Sequence, residues 1–556
     1  MTYLHKAVAY FLRHEVYLFL ALFLGFLPLV WAAVDPMRWA ARRLLIGKIL
    51  RGLALLVLAG FCWVTFRYLA LPVYFEPVEP QVSEVSWNYL QGHPLYEQGQ
   101  SAQVYNLPYG PVLYLVVGWC NKLFGPSVLA GKLPGVLANV LMLAVLFFVY
   151  RRQISPGATL LALGLAAAMF LRADGTPITG RSDSILCLLV ALGLWLVAQR
   201  RAYAPVAFGL LVGLAMNCKV HSALYFIPVA AVAWNNGYTF KQGLVAAGCA
   251  LAIFLAPFFL LPDISLGGYA WFIASIVGHG LSMIKLQQLL WCGTVVAVPA
   301  VAGWLALRGA DHGAAVTAVR ANAKLIGGFA AAFVLLLFPA SKVGAGPHHL
   351  MPWLVAIPAL AIPLYQSGLG NVWGETGGRL ARVFLLSWVC AVLASALLAL
   401  GKINSLLEEH AGEGAKVVAD VQDILKTHDK DYLIFMGVGG QDDYWLTSYR
   451  ELLTFDGQPV GIDWVALMDY KRAGLKEPEL ARLLEQFQAK SAPPKGALWL
   501  VPKGDVPFSI KTFYPPQDVL FTQPFRDDFK LMFQRTGSSE YFDIYTPTGA
   551  LPADRK

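Results

Sequence analysis

About twelve stretches of this chain are nearly free of charge and close to the length that crosses hydrocarbon, and this repetition limits the fold more than any other feature. They are Val16–Val34, Leu53–Leu71, Ser127–Tyr150, Ala158–Leu171, Ser184–Ala198, Ala204–Asn217, Ser222–Trp234, Gly243–Leu261, Leu286–Leu307, Leu325–Ala340, Leu350–Leu364 and Val383–Leu400. A backbone in hydrocarbon must satisfy its own polar groups, so runs of this kind predict membrane-crossing helices. With 57% hydrophobic and 14% charged residues over 556 positions, the composition excludes an ordinary soluble globule. The expectation is a mainly α polytopic membrane protein. The apolar run Val112–Cys120 is too short to cross and reads as a helix in the outer interface.

Lys and Arg accumulate on the cytoplasmic side of such helices. Arg38, Arg42, Arg43, Lys48 and Arg51 fall in one predicted loop, Arg151 and Arg152 in another, then Arg200 and Arg201, Lys241, the set Arg308, Arg320 and Lys324, and finally Arg379 and Arg382. These loops alternate with the rest. The segment after Leu71, the loop Arg172–Asp183, the region around Lys285 and the loop Ser341–His349 are therefore expected outside. Lys6 and Arg13 run against the pattern, since twelve crossings place them outside as well. The run Val16–Val34 is not followed by a small-x-small site, so a cleavable leader is not expected. The net charge of +9 is largely this cytoplasmic bias and does not predict a nucleic-acid partner.

The character changes after Leu400. Residues 401–556 read as a polar α/β domain of roughly 150 residues, which parity places outside. Helices are predicted at Ala415–Thr427 and Glu477–Ala489, and strands at Tyr432–Val438, Ala497–Pro502, Lys530–Arg535 and Tyr541–Thr546. All seven cysteines precede Gly401, so disulfides play no part in the domain. Gly437-Val438-Gly439-Gly440 lacks the spacing of a nucleotide fingerprint and reads as a turn.

The outward loops carry the ionisable side chains. Between Arg67 and Lys122 there is no Lys or Arg, while Glu76, Glu79 and Glu84 follow a crossing. The same loop, residues 73–111, continues through Trp87, Gly92-His93-Pro94-Leu95-Tyr96 and Tyr105 to Tyr109-Gly110-Pro111. A second loop offers Arg172, Asp174, Arg181 and Asp183; Lys219 and His221 lie at the same surface, and Lys342, His348 and His349 lie in a further loop. Carboxylates can take a proton from a nucleophile or hold a cation, and Lys, Arg and His can receive a phosphate. Single loop charges are commonly solvated or snorkelling. Recurrence at one depth on one face points to a site acting on a lipid phosphate.

The acidic pair after an early crossing, the stretch Leu90-Gln91-Gly92-His93-Pro94-Leu95-Tyr96, then Tyr109-Gly110-Pro111-Val112-Leu113-Tyr114 and Leu123-Phe124-Gly125, resemble the first external loop of the GT-C glycosyltransferases. That family includes protein O-mannosyltransferases and enzymes like the lipid A aminoarabinose transferases. The resemblance continues through Gly180-Arg181-Ser182-Asp183, Gly213 to Lys219, and the loop Lys342 to His349, covering roughly residues 50–400. It implies a GT-C domain over residues 1–400, an extracytoplasmic domain over 401–556, and a bacterial inner-membrane protein whose C-terminal domain is periplasmic.

The resemblance further implies inverting transfer of a sugar from a polyprenyl-phosphate donor to a glycan, lipid or protein acceptor of the cell envelope. Glu79 matches the general base with Glu76 its neighbour, and Asp183 matches the second acidic residue. Arg172, Arg181, Lys219, His221, Lys342, His348, His349 and Tyr109 are the substrate-binding candidates. No cofactor is specified; a divalent metal, where one is used, falls to Glu79 and Asp183. The family's usual Asp-Glu pair is replaced here by Glu76-Pro77-Val78-Glu79, which leaves the choice of base open. A transporter or flippase of lipid-linked sugars is the alternative, though no internal repeat is visible and the ionisable groups avoid the bilayer midplane. A scaffolding role gives no reason for the carboxylate and cation loops.

Overall fold

The structure, a computed structural model, describes residues 15–34, 36–76, 78–96, 109–171, 178–199, 201–308, 312–364, 377–440, 446, 449–474, 480, 484, 496–512, 514 and 517–548. It is a mainly α membrane protein with a small sheet near the C-terminus. Among the described residues, six helices are long and apolar enough to cross a membrane: Arg42–Ala70, Val128–Arg151, Phe240–Leu260, Met283–Gly303, Ala323–Ala340 and Arg379–His428. Shorter apolar helices, including Leu18–Ala33, Pro156–Leu171, Ser182–Ala198 and Ala204–Met216, fall on other runs anticipated from hydropathy. Leu55, Phe66, Leu251, Phe259, Val334 and Phe338 are exposed on the outer faces, as expected of side chains that meet lipid.

Two helices depart from expectation. Pro36–Ala70, here α1, is continuous for 35 residues, so the basic stretch expected as a loop is helical. Arg, Leu, Ile and Lys are good helix formers, and long basic side chains can stay helical while their charges reach the surface. The crossing at Val383–Leu400 and the helix at Ala415–Thr427 are one element, Gly377–His428, of 52 residues. The change from apolar to polar residues after Leu400 suggested a boundary there. Gly414 instead serves packing, since a Cβ would come within 2.9 Å of the Val73 side chain. The helix expected at Glu477–Ala489 falls largely outside the described residues.

Four further elements position the site. They are α2 (Val78–Leu90), α3 (Val128–Arg151), α4 (Ser182–Ala198) and the long helix, α5 (Gly377–His428). The polar end of α5 packs Val417, Val421 and Ile424 into a second core against the sheet. Strands β1 (Leu433–Met436), β2 (Ala497–Pro502), β3 (Phe533–Ser538) and β4 (Phe542–Pro547) are ordered β1-β2-β4-β3. β1 and β2 are parallel, with Phe435 opposite Trp499, and the other pairings are antiparallel. The run Ala-Leu-Trp-Leu-Val-Pro of β2 is buried on both faces, as a central strand requires. A third cluster joins Val82 and Val85 of α2 to Tyr96, Tyr114, Phe258, Tyr269, Phe272 and Tyr470, seating the segment that follows α1 against the region after β1.

Candidate active site

Three chain segments converge where α1 ends, α4 begins and the 3-10 turn Val220–Phe226 starts. Arg181 is the residue before α4, and Asp183 lies in its first turn, where free backbone N–H groups favour a carboxylate. Asp183 pairs with Lys219 Nζ at 2.6 Å and with Arg181 Nε at 3.6 Å. Arg181 reaches Glu76 through Nη1 at 3.2 Å and the His348 ring through Nη2 at 3.2 Å. His349 Nδ1 meets His221 Nε2 at 3.0 Å, with the rings of His348 and His349 4.6 Å apart. Tyr225 donates its hydroxyl to the His349 carbonyl at 2.8 Å and so orders that turn. Burial and nearby Lys219 push His349 well below its ordinary pKa, which keeps the imidazole neutral.

Tyr109 joins this set through its backbone. Gly110 N–H donates to the Cys218 carbonyl and Val112 N–H to the Asn217 carbonyl, both at 3.2 Å. That approach requires glycine, because a Cβ on Gly110 would collide with the Asn217 carbonyl. Lys219 Nζ consequently lies 5.6 Å from the centre of the Tyr109 ring. Tyr96, held at φ +63°, donates its hydroxyl to the Tyr109 carbonyl at 2.6 Å. Positive φ is costly for an aromatic residue and is kept where surrounding contacts impose it.

The two neighbouring glutamates differ in their surroundings. Glu79, in the first turn of α2, is 3% exposed. Its carboxylate accepts the Tyr68 hydroxyl, the Phe75 N–H at 3.1 Å and the Gly180 N–H. Burial raises its pKa, while the bonds from Tyr68 and Gly180 pull it back down. Glu76 is less enclosed, its side chain retaining 13% exposure beside Arg181. Four of the residues singled out from sequence, Glu76, Arg181, Asp183 and Lys219, therefore form one alternating chain of charge, with His348 beside Arg181. His221, His349 and Tyr109 flank it, and Glu79 is tied to it through Gly180.

Lys342 lies apart. Its loop is held by Val343 N–H to the Gly280 carbonyl at 3.2 Å, and among the described residues its Nζ has no hydrogen-bond or ion-pair partner. Burial lowers its pKa to about 8, opposed by the charge of Asp469. Arg172 lies outside the described residues.

A divalent metal shared by Glu79 and Asp183 does not fit these surroundings. The first carboxylate is taken by three donors and the second by two cations. Among the described residues, no three His, Cys, Asp or Glu side chains gather as metal ligands.

Two features escaped the sequence reading. Lys132 is wholly buried in α3 and donates to three backbone carbonyls, those of Tyr68, Leu71 and Val73. It was visible as the single charged residue of Ser127–Tyr150. The second is an ion network under α2. Arg450 pairs with Glu84 and, at 3.3 Å, with Asp463, while Thr454 donates to Glu84 at 3.2 Å and Gln81 donates to Asp463. Asp463 also accepts the Val465 and Ala466 N–H groups at 3.0 Å, capping the helix Trp464–Arg472. Burial pushes Glu84 up to about 7 against the pull of Arg450.

Residues 108–261 match the family model described as dolichyl-phosphate-mannose-protein mannosyltransferase, a span that includes Tyr109, Arg181, Asp183, Lys219 and His221. The crystal structure of ArnT from Cupriavidus metallidurans bound to undecaprenyl phosphate is similar with a TM-score of 0.53 at 14% identity, covering 90% of this chain and 99% of that one. The apo state of the same protein gives 0.49 at 14% identity, with the same coverage. No curated protein matches the sequence. The chain is a polytopic membrane protein with the GT-C glycosyltransferase fold.

Proposed function

We propose that the chain is a glycosyltransferase that moves a sugar from a polyprenyl-phosphate-linked donor to an acceptor on the outer face of the membrane. The observation that carries this reading is the chain Glu76–Arg181–Asp183–Lys219 with His348 beside Arg181, set where helices end rather than at the bilayer midplane. The matched family is named for a dolichyl-phosphate-sugar reaction, and the ArnT structure of like fold holds undecaprenyl phosphate. About twelve crossings, residues 401–556 as a periplasmic domain and a bacterial inner membrane complete the proposal.

Glu76 is the better-placed base, because Glu79 already receives three hydrogen bonds and its role is to fasten α2 to Gly180. In the transfer, Glu76 takes the proton of the acceptor hydroxyl as that oxygen attacks the anomeric carbon. The bond from this carbon to the phosphate oxygen breaks, its electron pair leaves with the lipid phosphate, and the configuration inverts. Lys342, His348, His349, Tyr109 and Arg172 are the groups proposed to bind the donor, and cationic groups stabilise the leaving phosphate. Arg181 and Lys219 hold Glu76 and Asp183 in place.

Mass spectrometry of lipid that copurifies with the protein tests the class and the donor. A polyprenyl-phosphate sugar, consumed when acceptor is added, is the expected result. A lipid-linked sugar that crosses vesicle membranes without being cleaved would establish a flippase instead. Reporters fused after Arg152, Arg201 or Arg320 should mark the cytoplasm and one after Gly440 the exterior, and a cytoplasmic signal from the last would overturn the placement of the site.

A further inference from the structure

A lysine inside an apolar helix commonly snorkels to the membrane surface. Lys132 does not: it is 0% exposed, and its Nζ lies 2.9, 2.9 and 2.6 Å from the carbonyl oxygens of Tyr68, Leu71 and Val73. Three acceptors around one nitrogen require three protons, so this group is an ammonium. The Tyr68 carbonyl, which also accepts the Leu71 N–H at 3.2 Å, lies in the last turn of α1, whose C-terminal end attracts a cation, and the other two belong to the non-helical segment that follows. The ammonium also lies 4.4 Å from the centre of the Tyr68 ring.

The contacts continue outward from there. Tyr68 donates its hydroxyl to Glu79, Phe75 donates its N–H to Glu79, and Glu79 holds Gly180, the residue before Arg181. Helix α3 touches both sides of this joint. Gly131 leaves room for the Tyr74 hydroxyl, and Gly135 packs directly on Gly180. One buried cation therefore organises the segment that ends in Glu76 and, through Glu79, the turn that presents Arg181.

We propose that Lys132 is a positioning residue for the transfer reaction, fixing the segment Leu71–Glu76 so that Glu76 meets Arg181. The proposal rests on the glycosyltransferase reading for its effect on rate, and on geometry alone for its effect on the segment.

The test uses the full chain in lipid nanodiscs, comparing the parent with Lys132→Met. Hydrogen exchange should quicken in peptides covering 71–79 and 178–183 while the strand 497–502 keeps its protection. Parental exchange in the first two peptides would overturn the proposal whether or not transfer is seen. With a polyprenyl-phosphate sugar as donor, kcat should fall about 10²-fold, the scale of a 1 Å misplacement, while the donor KM stays near parental. In a double-mutant cycle, Lys132→Met and Glu79→Gln should lose less together than the product of their separate losses. Multiplying losses would mean that Lys132 does not act through Glu79, and would overturn the proposed route. If Lys132→Met does not fold, Tyr68→Phe cuts one link of the same route and should quicken exchange at 178–183; unchanged exchange there counts against the proposal. Altered exchange with no transfer by the parent would sink the glycosyltransferase reading and leave the positioning role standing.

Discussion

Replacing Glu79 by glutamine should loosen a joint, and replacing Glu76 by glutamine should remove a reactant. Tyr68 and Gly180 both donate to Oε1 of Glu79, and Phe75 donates to Oε2. A carboxamide offers one acceptor oxygen. With that oxygen at the Oε1 position, the amide nitrogen faces the Phe75 N–H, donor against donor. One charge-assisted bond is lost at about 1.5–3 kcal/mol and one buried donor is stranded at about 1–3 kcal/mol, giving a destabilisation of about 2.5–6 kcal/mol. Glu76 is partly exposed, and Arg181 keeps Asp183 and His348 when the ion pair to Glu76 is lost. Glu76→Gln should leave the fold in place and slow transfer by about 10²–10⁴-fold, the usual contribution of a general base. The assay pairs thermal unfolding followed by intrinsic fluorescence with transfer at saturating donor. Glu79→Gln should melt earlier yet turn over well below its lowered midpoint, whereas Glu76→Gln should melt with the parent and be nearly inactive. A Glu79→Gln protein with parental melting and no turnover, beside an active Glu76→Gln protein, would refute this reasoning and make Glu79 the base.

Other outcomes follow from the same geometry. Arg450→Met strands Glu84 and Asp463, both wholly buried, and should cost about 3–5 kcal/mol, read as a lower unfolding midpoint. Glu84 keeps its proton to about pH 7 in the folded chain but ionises near 4.5 when unfolded, so stability falls as pH rises through that window. Melting measured across pH should show that slope, and Glu84→Gln should lessen it, leaving the share of Asp469, which burial raises to about 6. Lys342 is charged below about 8, so donor binding should weaken as pH rises through that value; Lys342→Met should bind about tenfold more weakly and lose the pH dependence. Gly110→Ala should push Tyr109 away from Lys219, lowering transfer in a protein that still inserts into the membrane.

The membrane helices were legible because hydropathy is a local property, and each expected run needs only its own residues to declare itself. The chain of charge was legible for a related reason. Glu76, Arg181, Asp183, Lys219 and His348 all sit at the ends of apolar runs, so depth and side of the membrane bring them together without knowledge of the packing. The distinction between Glu76 and Glu79 was not legible, since it depends on where Gly180 arrives, about a hundred residues away. The Glu84–Arg450 pair leaves no signature, because the acid reads as surface charge and the base as part of a polar region. Lys132 was in view but was averaged away inside a hydrophobic window. The change in polarity after Leu400 suggested an ending, where the helix runs on and Gly414 lets α5 pass Val73 closely.

At 52 residues, α5 is about 78 Å long, more than twice the ~30 Å thickness of hydrocarbon. Its apolar first half is long enough to cross hydrocarbon, and its polar second half extends beyond it. Beyond its apolar stretch its flank carries Glu408 against Arg67 at 3.3 Å, His410 with its ring 5.1 Å from that of Phe75, and Gly414 against Val73. A thicker or thinner bilayer changes the tilt of a long apolar helix. Any such swing would reach Phe75, whose N–H holds Glu79, and the second core, into which α5 packs Val417, Val421 and Ile424. If the chain carries out the proposed transfer, its rate should then depend on lipid chain length, and turnover measured in bilayers of short and long acyl chains checks this.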